Sequence, residues 1–128
     1  MIDHSGLQVS DPVVSRRFYD SALAPLGYGM LVQVPPEYTG GVAVLGYGVP
    51  PKPDFWVTEG TPNEPRVHIA FRAETHEQVE RFYQAALAAG GKDNGRPGPR
   101  PHYHADYYGA FVLDPDGHNI EAVCHRPK

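Results

Sequence analysis

Two histidines and one glutamate, His4, His68 and Glu121, stand where side chains that bind metals or move protons meet a strict apolar/polar alternation. His4 shares its side of an extended segment with Gly6 and Gln8, while Leu7 and Val9 point the other way. His68 falls in with Ala70 and Arg72, opposite Val67, Ile69 and Phe71. Glu121 falls in with Asn119 and Val123, opposite Ile120, Ala122 and Cys124. A period of two marks a half-buried strand, so each residue is expected on the face that helices do not cover. If those faces curl around one cleft, two imidazoles and a carboxylate can meet there. That donor set suits non-haem Fe(II), and equally Zn, Mn, Co or Ni, with open positions for water or substrate. The other reading has each of the three satisfied by a strand neighbour.

The histidines are not independent. Sliding the chain by 64 positions sets residues 4–27 on 68–91 without a gap and matches His4 with His68, Arg17 with Arg81, Phe18 with Phe82 and Tyr19 with Tyr83. Ala22, Leu23, Ala24 and Gly27 match Ala86, Leu87, Ala88 and Gly91, which makes eight identities in 24 positions. Composition alone gives roughly one or two. The offset exceeds the roughly 20–50-residue periods of solenoids and propellers, so two halves related by a pseudo-twofold axis are expected. Module one spans 1–60 and module two 65–126, within one domain covering 1–128.

Each module opens with a strand, at 2–9 and 66–73, followed by a helix. Asp11 before Pro12 is an N-cap followed by proline at the first helical position, and Thr75 with Gln78 has the capping-box spacing. Val14, Phe18, Ala22 and Leu23 form the buried stripe of the first helix; Val79, Phe82, Tyr83, Ala86 and Leu87 form that of the second. Gly27 and Gly91 end the helices or open the next strand. Further strands are expected at 28–34, 41–48 and 54–59, and at 90–95, 107–114 and 118–125. Asp114, Pro115, Asp116 and Gly117 make the last hairpin turn, with His118 in it at the surface, and Pro50, Pro51 and Pro53 turn the chain in the first module. The segment from Gly95 to Asp106 reads either as a solvated connection or as a loop that borders a cleft and touches substrate.

A formal net charge of −4 disfavours nucleic acid and anionic membrane, which leaves a small molecule as the expected partner. No apolar run reaches membrane-spanning length and Met1 leads straight into a strand, so a cytoplasmic location is expected. Cys124 is the single cysteine, on the helix-facing side and inert; a metal would be held by His and carboxylate. Ser5 and Ser10 lack the His and Asp companions of a nucleophile, and no glycine-rich phosphate loop is present.

The segment Ile2 to Gly6 around His4, the segment Val67 to Phe71 around His68, and Asp114 to Gly117 leading into Asn119, Ile120 and Glu121 resemble the vicinal oxygen chelate superfamily. That family includes glyoxalase I, extradiol dioxygenases, bleomycin and fosfomycin resistance proteins and methylmalonyl-CoA epimerase. The resemblance covers nearly the whole chain. It implies an α+β fold of two pseudo-symmetric βαβββ modules, a cupped mixed sheet with helices outside, and metal ligands at His4, His68 and Glu121. It also implies a homodimer in many members, some of which build the site between chains. The expected cofactor is a divalent ion, Fe, Zn, Ni, Mn or Co, chelated by vicinal oxygens of the substrate.

The implied activity is a glyoxalase-like lyase or isomerase, with Glu121 also moving a proton, or a ring-cleaving dioxygenase. The alternative is a metal-free drug-binding protein. The glyoxalase I pattern wants a fourth ligand, Glu or Gln, where this chain has Val57 or, with a slip of one, Trp56; Glu59 is the nearest acid. Arg72 is expected as an anion anchor or a solvated rim residue. Trp56, Tyr103, His104 and Tyr108 are expected at the substrate, with Tyr47, Tyr107 and Phe111 as further aromatic wall or core.

Overall fold

The computed structural model describes residues 1–128. Module one runs β1 (Ser5–Val9), α1 (Pro12–Leu23), β2 (Gly29–Gln33), β3 (Val44–Val49) and β4 (Lys52–Glu59). Module two repeats it as β5 (His68–Arg72), α2 (His76–Ala88), β6 (Lys92–Pro99), β7 (Tyr108–Leu113) and β8 (Asn119–Cys124). Each module folds into its own four-stranded mixed sheet, in the orders β1-β4-β3-β2 and β5-β8-β7-β6. The first strand pairs parallel with the last, and the remaining pairs are antiparallel.

The helices start where their caps dictate. The Asp11 carboxylate accepts from the backbone N–H groups of Val13 and Val14, and Thr75 accepts from that of Gln78. Gln78 returns the bond to the N–H of Glu74 rather than to Thr75 itself. Gly27 closes the first module's helical segment at φ 83°, a conformation that a Cβ makes costly. Gly91 has a different reason to be glycine: a Cβ there would lie 2.5 Å from Val112 Cγ1 and 2.7 Å from Phe18 Cε1. No helix is long and apolar enough to cross a membrane.

One strand departs from the sequence reading. β6 runs through the Pro/Gly segment to Pro99 instead of stopping near residue 95. It lies at the edge of its sheet, and its pairing with β7 slips between Asp93 and Gly95 and again between Gly95 and Gly98. Edge position and irregular register tolerate prolines, which have no N–H for the ladder.

A single cluster of 20 buried residues draws on both modules. Leu7, Val9, Leu45, Tyr47, Phe55 and Val57 enter it from the first sheet, and Phe71, Ala110, Val112, Ile120, Ala122 and Cys124 from the second. Aromatic rings carry the core across the boundary: Tyr19 to Phe55 at 5.3 Å, Phe55 to Phe71 at 5.1 Å, Phe71 to Tyr28 at 5.4 Å, all edge-on. The helix-facing sides of the two sheets thus share one core, and their uncovered sides are left outside it.

The Asp114–His118 turn fastens this junction. Asp114 Oδ2 accepts from the Tyr19 hydroxyl at 2.6 Å, and its Oδ1 accepts from the N–H groups of Asp116 and His118. Asp116 accepts from the Ser10 hydroxyl at 2.5 Å and from the Ser10 N–H at 3.1 Å. His118, expected at the surface, is fully buried. Its Nδ1 accepts from Val67 N–H at 3.2 Å and its Nε2 faces the Gln8 carbonyl at 2.8 Å, so one ring joins β1 to the strand entry of module two. A hairpin turn in sequence is an intermodule bracket in space.

Candidate functional site

His68 and Glu121 come together on the uncovered face of the second sheet. The parallel pairing sets Ala70 opposite Glu121, which leaves His68 one step along the same face. His68 Nε2 lies 2.8 Å from Glu121 Oε1, with the imidazole side chain 51% exposed and the carboxylate 1% exposed. The second carboxylate oxygen is also taken: the Tyr107 hydroxyl donates to Glu121 Oε2. Burial, and then the Glu121 carboxylate it bonds, push the Tyr107 phenol well above its ordinary range, so it stays a protonated donor. Gly109 makes the room, since a Cβ there would stand 3.2 Å from the Tyr107 ring and 3.4 Å from Glu121 Oε2.

Phe111 floors this face beside Glu121 in register, 6.2 Å from the His68 ring. Arg100 lies 5.4 Å over the Phe111 ring and donates to the carbonyls of Gly98 and Arg96, so its charge organises the loop. That loop is closed at its neck by Arg100 N–H donating to the Tyr107 carbonyl at 2.7 Å. Tyr107 therefore arrives on Glu121 from a defined turn.

His4 lies just ahead of β1, exposed, with Nδ1 2.8 Å from Asp3 Oδ1. Lys52 sits 2.6 Å from the other Asp3 oxygen and, with His4, holds that carboxyl below its usual range. His4 and His68 both border a cleft of about 410 Å³ at the seam between the sheets, with Arg72, Tyr28 and Asp54, but Glu121 is not among its walls. No three His, Cys, Asp or Glu side chains of the chain converge as a metal-binding group. One chain brings two of the three expected ligands into direct contact, while His4, on the same cleft as His68, bonds Asp3 instead.

The strand registers locate the missing fourth ligand. β1 pairs Gly6 with Trp56 as β5 pairs Ala70 with Glu121, so Trp56, not Val57, is the counterpart of Glu121. Val57 is 1% exposed in the core. The Trp56 indole covers Gly46, where a Cβ would lie 2.7 Å from the ring. Glu59 does not replace it, because its carboxylate accepts from Ala43 N–H at 3.0 Å.

The remaining expected contacts scatter. Tyr108 turns toward α2, donating to Glu80 at 2.7 Å and stacking on His76 at 3.9 Å; burial, then the Glu80 bond, raise its phenol to about 12. Tyr103 is exposed with its ring edge-on to Tyr107 at 4.8 Å, and His104 packs against Tyr107 at 5.2 Å. Arg72 is 76% exposed with Glu74 3.9 Å away. Tyr47 is core, its hydroxyl donating to Asp20 at 3.0 Å. The strand alternation had placed Tyr107 only among candidate aromatic walls. The local signal for its closer role is Gly109, two residues on, on the same strand face as Glu121's neighbour Phe111.

Residues 1–122 match the model of the Glyoxalase/Bleomycin resistance protein/Dioxygenase superfamily. A glyoxalase/bleomycin resistance protein from Albidiferax ferrireducens T118 is 29% identical, aligns over 98% of each chain and superposes with a TM-score of 0.71. Glyoxalase I from Zea mays is 19% identical, with a TM-score of 0.69 over 99% of this chain and 45% of the other, a likeness of fold alone. A glyoxalase-related enzyme from Fulvimarina pelagi aligns with 97% of this chain and 87% of the other at 20% identity and a TM-score of 0.67. No curated protein matches the chain.

Proposed function

We propose, from the premise that the chain belongs to the glyoxalase/bleomycin resistance protein/dioxygenase superfamily, that it is a metal-dependent enzyme acting on a small molecule with vicinal oxygens. The observation that carries this is the His68–Glu121 pair. Two ligands at right angles on an ion, each about 2.0–2.2 Å from it, lie about 3 Å apart. The observed 2.8 Å needs only a small opening to admit one. His68 Nε2 and Glu121 Oε1 would hold the ion, with His4 from a second copy of the chain as third ligand, because the uncovered sheet faces lie outside the shared core. The class of ion is Fe, Zn, Ni, Mn or Co.

Such an ion supplies Lewis acidity toward two neighbouring substrate oxygens. The chain's own residues do the rest. Tyr107 fixes the orientation of Glu121 and keeps its second oxygen occupied. Phe111 gives the face an apolar floor, and His68 presents its imidazole to solvent and substrate. With Trp56 in the fourth position, the donor set resembles the three-ligand dioxygenase form more than the four-ligand glyoxalase form. A lyase or isomerase on this face would rely on Glu121 for proton movement, with no second carboxylate on the same strand face.

A second reading, a metal-free binder of small molecules, is favoured by one fact: both imidazoles already have hydrogen-bond partners, Asp3 for His4 and Glu121 for His68. Metal analysis of the purified full chain separates them. One equivalent of divalent ion fewer in His68→Ala than in the unaltered chain supports the enzyme; equal ion content in the two under every loading condition supports the binder.

A further inference from the structure

Away from Glu121, two more imidazoles meet at the surface, and their hydrogen bonds fix where each proton sits. His104 Nε2 and His125 Nδ1 are 2.8 Å apart, and both residues are exposed. The N–H of Asp106 donates to His104 Nδ1 at 3.2 Å, so that nitrogen carries no proton in the neutral ring. The proton of His104 is then on Nε2 and donates to His125 Nδ1, whose own proton is on its Nε2. One proton joins two nitrogens that each have a lone pair available once it moves.

We infer that His104 and His125 form a second cation site, a two-imidazole chelate for a borderline divalent transition-metal ion such as Cu(II), Ni(II) or Zn(II). Metal–nitrogen bonds of about 2.0–2.1 Å put neighbouring ligand nitrogens about 2.9–3.4 Å apart, so the rings need open by only a few tenths of an ångström. The Nε2 proton of His104 shifts to its Nδ1 and displaces the Asp106 amide contact, so both rings stay neutral and none is lost to solvent. Two imidazoles without a carboxylate select against Mg and Ca, which want oxygen, and water completes the coordination. The site also has a mechanical consequence. Both rings pack edge-on to Tyr107, at 5.2 and 5.4 Å, so a bound ion pins the loop that carries Tyr107 to the segment after β8. It is independent of the His68–Glu121 reading, with which it shares no ligand.

The test is Cu(II) titration of the full chain by equilibrium dialysis and electron paramagnetic resonance in a His68→Ala background, which removes the first site, alone and with His104→Ala or His125→Ala added. His68→Ala is expected to hold an ion whose spectrum shows two imidazole nitrogens. Adding His104→Ala or His125→Ala is expected to weaken that binding at least about tenfold while leaving the circular dichroism spectrum unchanged. No ion in His68→Ala, an ion kept at full affinity by either double variant, or a spectrum with one nitrogen overturns the site.

Discussion

Glu121 is gripped from both sides, by an imidazole on one oxygen and a phenol on the other, and is almost wholly out of water. An unpaired carboxylate oxygen in such a place is costly, so Tyr107 has work to do whatever binds at His68. In Tyr107→Phe the ring stays and only the hydroxyl goes. The expected cost is about 1–3 kcal/mol of stability, read from urea unfolding. If the proposed ion binds at His68 and Glu121, the freed oxygen would be open to it, and the visible spectrum of a Co(II)-substituted sample would change with a roughly tenfold shift in metal affinity. An unchanged Co(II) spectrum alongside full metal loading would leave Tyr107 a packing residue only. His68, Glu121 and their shared face were readable because strand alternation is a property of neighbouring residues. The phenol was not, since its only local trace is Gly109, two residues on, and a lone glycine in a strand does not say which side chain needs the room.

At the scale of elements, caps were the most legible features: Asp11 and Thr75 do what their types and positions specify. The turn after β7 was half legible. Its residues spell a hairpin, but not that the hairpin docks on module one through Tyr19, Ser10 and Gln8. Those contacts join positions about a hundred residues apart and leave no periodic trace. Asp114 concentrates the effect, since three donors converge on its buried carboxylate. Its contact with Tyr19 adds to burial in raising that phenol well above its ordinary range. Asp114→Ala strands the Tyr19 hydroxyl in the core and loosens both the turn and the junction. A loss of about 3 kcal/mol is expected, seen as a fall in melting temperature of roughly 10 °C. A change of a degree or two would show that the turn decorates the junction rather than fastening it.

The whole molecule bears on where the proposed third ligand would come from. Sequence repetition correctly gives two equivalent modules, but how they dock depends on Phe55 meeting Phe71 and on α1 packing near α2, which no local pattern encodes. The helix-facing sides share the core and leave the face with His68 and Glu121 uncovered. In the proposed enzyme, closed twofold symmetry would cover it with the first module of a second copy, which would bring His4 and the Trp56 indole. Each dimer would then have two sites, each built from His4 of one copy with His68 and Glu121 of the other. This makes complementation a sharp test. With His104→Ala added to both chains to remove the second site, His4→Ala and His68→Ala homodimers each lack a ligand in both sites and should hold no ion. Unfolding them together and refolding the mixture creates mixed dimers in which one site lacks both histidines and the other is intact. Random pairing makes half the dimers mixed, so about a quarter of all sites should recover metal. A site assembled within one chain recovers none, because every chain in the mixture lacks one of its own ligands.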